Sequence, residues 1–149
     1  MLLAIADEVT ENLDAGFSRK VIDGGLVARA ESLMWLWILG AYEVVRTMCQ
    51  AKACFAQRAF DELNPLKKRL TAVRMPAAKM ERPGVKIPVT SNRSPAAWDV
   101  SRRDILINDP EAEAVFARDL LAEFDRVLSS IRPEDILGRH EDGYKKNAD

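Results

Sequence analysis

Apolar residues recur every three or four positions along most of the chain, which is the period of an amphipathic helix. Near the start, this spacing is carried by Leu2, Ile5, Val9, Leu13 and Phe17. The pattern predicts a first helix over residues 2–22, and Asp23-Gly24-Gly25 breaks it.

A longer stretch of the same period covers residues 26–63 and predicts the longest helix. Over residues 33–45 the helix is apolar nearly all round, so we expect protein to surround it on every side. A continuous helix of this length would measure about 57 Å. We therefore expect Gly40, or the polar stretch after Phe55, to bend or break it.

Prolines mark the starts of the next two helices. Asn64 is an acceptable N-cap with Pro65 in the first helical position, and Pro76 should end this third helix. Asp109 followed by Pro110 predicts the same kind of start for a fourth helix, which ends near position 132.

The helical period disappears over residues 76–108, which we call the arm. Within it, residues 85–90 and 104–107 have the character of short extended segments that could pair as a hairpin. The sequence therefore predicts an all-α fold: an antiparallel bundle of four main helices, with a long, irregular, Pro-rich basic arm between helices 3 and 4. One domain would cover residues 1–132, with 133–149 as a polar C-terminal tail that has room for one short turn near 134–137.

Charge changes this picture because it is unevenly distributed. The chain of 149 residues has a formal net charge of −1, yet residues 65–103 contain ten basic and two acidic groups. Such a cluster could bind an anion or nucleic acid. The interpretation that we favour is that it folds onto the chain's own carboxylates, including those of the last helix. An acidic partner or a second copy of the chain is the remaining alternative. The candidate anion-binding residues are Lys79, Arg82, Lys86, Arg93, Arg102 and Arg103.

Polar residues interrupt the apolar helix at positions 42–47. Glu43 and Arg46 are three apart, and Tyr42 and Arg46 are four apart, so their side chains can meet. In a buried setting the charges need partners, which predicts a buried ion pair that fixes the helix register. Two alternatives are a pocket where Arg46 meets an anionic ligand and Tyr42 donates a hydrogen bond, and a homodimer interface. Trp35, Tyr42 and Arg46 belong to the residue types enriched at binding hot spots.

Catalytic motifs are mostly absent from the sequence. It has no Gly-rich phosphate loop, nucleophile elbow or metalloprotease helix, and a single histidine leaves few options for a zinc site. Cys49 and Cys54 would point about 140° apart on one helix, so we expect free thiols in a reducing cytoplasm. We expect no cofactor and no metal. The longest uncharged run, residues 32–42, covers about half a bilayer, so we expect no membrane span.

The one histidine raises a fold-level analogy. HEPN-domain ribonucleases, which are helical bundles, use an arginine followed four to six residues later by a histidine. The nearest pair here is Arg132 and His140, eight apart with a proline between them, so the spacing departs from that rule. The analogy concerns fold class alone, and we expect His140 to be a solvated surface residue.

Our leading hypothesis is therefore a non-catalytic, cytoplasmic helical interaction or regulatory module that associates with itself. The first alternative is an anion or nucleic-acid binding protein that uses the basic segment, or a module with an acidic partner. The second alternative is a ribonuclease that uses Arg132 and His140.

Overall fold

The computed structural model describes residues 1–18, 20–79, 96–107 and 113–138, without the side chains of 77–79, and it is mostly helical. The helical character predicted from the sequence is confirmed, with one small sheet added. The helices are α1 (Leu2–Gly16), α2 (Gly24–Gln50), α3 (Gln57–Lys79) and α4 (Ala117–Ser130). The strands β1 (Ala97–Asp99) and β2 (Asp104–Leu106) pair in antiparallel fashion, and a C-terminal 3₁₀ turn covers Pro133–Asp135.

The junction between α1 and α2 follows the predicted break. The Asp23 carboxylate accepts hydrogen bonds from the backbone N–H of Gly25 at 3.0 Å and of Leu26 at 3.2 Å, and so caps α2. Helix α1 ends earlier than predicted, at Gly16. A Cβ at that glycine would lie 2.7 Å from Cγ2 of Val27, so only glycine permits this close approach between the two helices.

The stretch over residues 26–63 is divided, as expected for so long a helix: α2 ends at Gln50, α3 begins at Gln57, and Gly40 does not interrupt α2. The intervening loop pairs with the C-terminal end of the described chain. The backbone N–H of Ala56 donates to the carbonyl of Asp135 at 2.8 Å, and that of Leu137 donates to the carbonyl of Cys54 at 2.8 Å. The break falls near the polar stretch after Phe55. The contacts with Asp135 and Leu137 pair backbone groups of Ala56 and Cys54 that a continuing helix would have paired internally.

The predicted limits of the third helix are also wrong. Asn64 does not cap it, and both Pro65 and Pro76 lie inside α3. The helix buries an apolar stripe that passes both sides of Pro65, and this packing outweighs the helix-breaking tendency of proline. The stripe consists of Leu63, Leu66, Leu70 and Val73, all at 0% exposure.

The sheet and the start of α4 differ in part from the predictions. Strand β2 confirms the extended segment predicted at 104–107, and its partner is β1, while 85–90 lies outside the described residues. Asp109 and Pro110 also lie outside them. Helix α4 begins only at Ala117, because Phe116 forms an isolated β-bridge with Leu106 and so extends the sheet where a helix was expected.

The core is centred on α2, which packs against α1 and α3. At its middle, the rings of Trp37 and Phe124 meet edge to face, with centroids 5.0 Å apart. The expectation that residues 33–45 are covered on every side is wrong. Trp35 is 45% exposed and Leu36 is 51% exposed, and both lie on the side of α2 opposite the buried Trp37 and Val45.

Candidate functional site: the outer face of helix α2

The polar residues of α2 form a network with one residue of α3. The Arg46 guanidinium donates from Nε to Oε2 of Glu43 at 2.8 Å and from Nη1 to Oε1 of Gln50 at 3.1 Å. Arg74 lies over the Tyr42 ring at 4.6 Å from its centroid, with Nη2 3.9 Å from Oε1 of Glu43. The structure thus brings Tyr42, Glu43 and Arg46 together, as their spacing predicted, and adds Arg74.

This network lies at the surface, which corrects the expectation of a buried ion pair. The side chains of Arg46 and Glu43 are 39% and 50% exposed. An exposed pair of this kind contributes about 0.5 kcal/mol, and removal of one partner leaves no buried charge behind. Helix geometry explains the difference, because both residues project from the same side of α2 as the exposed Trp35 and Leu36.

Apolar side chains occupy the centre of the same surface. We define the outer face of α2 as Arg29, Ser32, Trp35, Leu36, Leu39 and Glu43. Arg29, Leu36 and Glu43 are seven residues apart, so they lie in one line along the helix within about 20° per step. The apolar centre is flanked by a positive charge toward the start of the helix and a negative charge toward its end. Arg29 also contacts Glu8 of α1, with Nε donating to Oε1 at 3.0 Å.

The basic segment is partly paired within the chain. Arg69 Nη1 lies 2.7 Å from Oε2 of Glu123 on α4. Arg102 stacks on the Phe116 ring at 4.0 Å from its centroid, and its Nη2 donates to Oδ2 of Asp119 at 3.0 Å. These contacts match the alternative in which the segment folds onto the acidic last helix.

Among the described side chains, no other candidate anion-binding residue forms an ion pair with α4. Arg103 is exposed and has a positive φ of 53° in the turn between the strands, where its carbonyl accepts from Arg118. Lys79 is the last residue of α3, and its side chain lies outside the described part of the structure. Three further candidates, Arg82, Lys86 and Arg93, lie wholly outside the described ranges.

The predicted ribonuclease pair is not brought together by the described residues. The Arg132 backbone N–H donates to Oδ2 of Asp135 at 2.8 Å, while its guanidinium is 68% exposed and 3.8 Å from Glu134. His140 lies outside the described ranges.

An ion pair that the sequence analysis missed joins α3 to the C-terminal turn. Arg58 donates to both carboxylate oxygens of Asp135 and, at 2.8 Å, to the carbonyl of Ser130. The Asp135 side chain is only 5% exposed. The hydrogen bonds from Arg58, followed by that from the Arg132 backbone, lower the pKa of this carboxyl below its usual value. No local signal could have revealed the pair, because its members are 77 residues apart.

Cysteines and metal-binding groups add no site within the described ranges. Cys49 and Cys54 are both free thiols, as predicted, and burial raises the pKa of the Cys49 thiol. The described side chains contain no cluster of three or more His, Cys, Asp or Glu that could hold a metal ion. No helix in these ranges has both the length and the apolar character needed to cross a bilayer.

Comparisons with protein-family models, with curated proteins and with solved structures found no match to this chain. The candidate site is therefore defined by its own geometry.

Proposed function

We propose that this chain is a non-catalytic helical interaction module that forms a homodimer through the outer face of α2. The observation that carries the proposal is the exposure of Trp35 and Leu36, at 45% and 51%, in the middle of the longest helix. Large apolar side chains grouped on one helix face are typical of a contact surface. The proposal includes the antiparallel bundle, and it is supported for α1 and α2 by the proximity of Leu2 to Gly40 and of Gly16 to Val27.

The charges on this face make it complementary to itself. Arg29 and Glu43 are each seven residues from Leu36, on either side of it. When two α2 helices cross at Leu36 in opposite directions, Arg29 of one copy comes next to the partner's Glu43, and the same contact is made a second time by symmetry. The same register puts Leu33 opposite the partner's Leu39. A second copy of the chain therefore fits this surface.

The size of the surface sets the expected strength of the dimer. Trp35 and Leu36 are already about half buried, so covering the rest of each side chain would contribute about 1 kcal/mol, against a large cost of association. We therefore expect a dimer with a dissociation constant of about 1–100 µM.

Sedimentation equilibrium over this concentration range tests the proposal. We expect the wild-type chain to change from monomer to dimer, and Leu36→Glu to stay monomeric at all concentrations. Ser129→Glu, a matched control at an exposed position of α4, should dimerise like the wild type. A wild-type chain that stays monomeric at 100 µM, or a Leu36→Glu variant that dimerises normally, would exclude this interface.

Charge reversal tests the register separately. Arg29→Glu and Glu43→Arg should each weaken the dimer about fivefold or more, since each places like charges together twice. The double variant restores opposite charges across the interface and should recover most of the affinity. If the double variant is weaker than either single one, the antiparallel register is wrong. No described contact favours the nucleic-acid or ribonuclease alternative over this interface.

A further inference from the structure

A group of basic side chains on α3 and the end of α2 has more positive charge than its neighbours neutralise. We define this basic face by four residues: Arg46, Lys67, Lys68 and Arg74. Lys67 and Arg74 are seven residues apart, so they lie in one line along α3 within about 20°. Burial raises the pKa of the Cys49 thiol of α2, and the nearby charge of Lys67 partly opposes that rise. The basic face therefore follows the seam between α2 and α3.

The carboxylate that the described structure pairs with the basic face is that of Glu43. Its Oε2 accepts from Nε of Arg46 at 2.8 Å, and its Oε1 lies 3.9 Å from Nη2 of Arg74. Neither Lys67 nor Lys68 forms an ion pair with a described residue. The basic face is therefore left with a positive excess that an anionic partner surface would balance.

An acidic stripe of opposite charge runs along α1 of the same chain. It consists of Asp7, Glu11 and Asp14, which are exposed and spaced by four and three residues, so they share one side of the helix. Asp14 accepts from Nη2 of Arg118 at 2.7 Å. Asp7 and Glu11 form no ion pair with a described residue. Because α1 contains no basic residue, these like charges four residues apart repel each other, and contact with a basic surface would relieve that repulsion.

The helices that carry the two charged surfaces lie on opposite sides of α2. Helix α1 approaches α2 at Gly40, where a Cβ would lie 2.9 Å from Cδ2 of Leu2. Helix α3 contacts α2 at Tyr42, whose ring lies under Arg74. Gly40 and Tyr42 are two positions apart and so project about 160° from each other. The acidic stripe and the basic face therefore do not meet within one copy of the chain.

We propose that the basic face binds the acidic stripe of a second copy of this chain. Both surfaces extend over two helical turns, about 10.5 Å between their first and last charges, so they match in length as well as in sign. The contact joins two different surfaces and leaves one of each free, so it is head-to-tail and builds chains or rings of copies. It uses none of the residues that define the outer face of α2, and it does not depend on the dimer proposed above.

Light scattering of the Leu36→Glu chain tests this contact in the absence of the α2 interface. We expect the average mass to rise continuously with protein concentration in about 10 mM salt. The rise should vanish in about 1 M salt, because the screening length falls from about 30 Å to about 3 Å. A Leu36→Glu chain that stays monomeric at the lower salt concentration would overturn the proposal, whether or not the α2 dimer exists.

Exchange of charge between the two surfaces identifies them. One variant of the Leu36→Glu chain carries Asp7→Lys and Glu11→Lys, and a second variant carries Lys67→Glu and Lys68→Glu. Each variant alone should stay monomeric, because its two surfaces then have the same sign. An equimolar mixture should recover the rise in mass, because each variant supplies the surface that the other has lost. Recovery on mixing also requires that both variants are folded.

Milder variants and a control complete the test. Lys67→Gln combined with Lys68→Gln removes charge without reversing it and should weaken the association about fivefold. Asp61→Lys combined with Glu134→Lys changes two exposed carboxylates outside the acidic stripe, so this control should associate like the parent chain. A mixture no heavier than either charge-exchanged variant alone would overturn the proposal. Binding of duplex DNA by a chain that does not associate with itself would also do so, and would make the basic face a phosphate-binding surface.

Discussion

Two buried carboxylates, Asp104 and Asp135, have opposite electrostatic environments. Asp135 receives a guanidinium, and its pKa is lowered mainly by the hydrogen bonds from Arg58. Asp104 is 2% exposed, and burial raises the pKa of its carboxyl despite hydrogen bonds from the backbone N–H of Ile105 and Arg118. The same residue type is therefore expected to give opposite dependences of stability on pH.

For Asp135, the lowered pKa means that the carboxylate stabilises the fold above its usual pKa, and that this contribution is lost as the pH falls through the lowered value. We expect Asp135→Asn to lower the melting temperature at pH 7, and the gap from wild type to narrow as the pH falls below about 4. Thermal unfolding followed by circular dichroism measures this gap. Glu134→Gln, on the same turn but exposed, is the control. A gap that stays constant down to pH 2 would contradict the assignment.

For Asp104, the raised pKa gives the opposite dependence of stability on pH. Its contribution to stability is fully present below the usual carboxyl pKa and is lost as the pH rises through the raised value.

The Asp104 carboxylate also takes the place of an N-cap for α4, since the Arg118 N–H donates to it at 3.3 Å and Phe116 offers no capping side chain. We expect Asp104→Ala to cost about 1–2 kcal/mol in urea unfolding at pH 7, and Asp104→Asn, which keeps an acceptor without the charge, to cost clearly less. Equal losses in both variants would show that the charge itself is required.

At the scale of single elements, local sequence signals predicted the starts of α1 and α2 but misplaced those of α3 and α4. The break at 23–25 was predictable because Asp23 caps α2 with its own side chain. The end of α2 at Gln50 was not, because the loop after it is held by Asp135 and Leu137, 79 and 83 positions from their partners Ala56 and Cys54. The prediction of a helix start at Pro65 was wrong for a related reason: an N1 signal is local, whereas the buried stripe of α3 that overrides it is a tertiary feature.

The position of Pro65 inside α3 gives a prediction for that helix. This proline has no N–H to donate to the carbonyl four residues earlier, and it is exposed, so its removal should disturb little packing. We expect Pro65→Ala to stabilise the chain by about 1 kcal/mol or more in urea unfolding. Pro76→Ala is the contrasting variant, because Pro76 is buried and its ring also contributes to packing. Destabilisation by Pro65→Ala would mean that the helix needs a bend at this position.

At the scale of the whole molecule, the fold depends on contacts that join distant parts of the chain. The uneven charge predicted that the basic segment could pair with the last helix, and Arg69 with Glu123 and Arg102 with Asp119 do so. The sequence could not predict which residues pair, because that depends on helix ends and on the turn between the strands. The exposure of one side of α2 was missed for a similar reason. The sequence shows how apolar a helix is, but it does not show how many neighbouring elements cover that helix.

The C-terminal turn provides the test at this scale, because it connects the chain after α4 to the loop between α2 and α3 and to the start of α3. Residues 133–137 supply the carboxylate bound by Arg58, the acceptor for the Ala56 N–H and the strand-like pairing of Ile136 with Phe55. A chain that stops after Arg132, the predicted domain boundary, loses all three contacts, whereas a chain that stops after Gly138 keeps them. We therefore expect the shorter chain to melt at least about 5 °C below the longer one in calorimetry at pH 7, and the longer one to melt close to the full-length chain. Equal melting temperatures for the two truncations would mean that the domain is complete at residue 132. A lower melting temperature for the shorter chain would mean that the domain includes the turn, because loss of the turn frees the loop that separates α2 from α3.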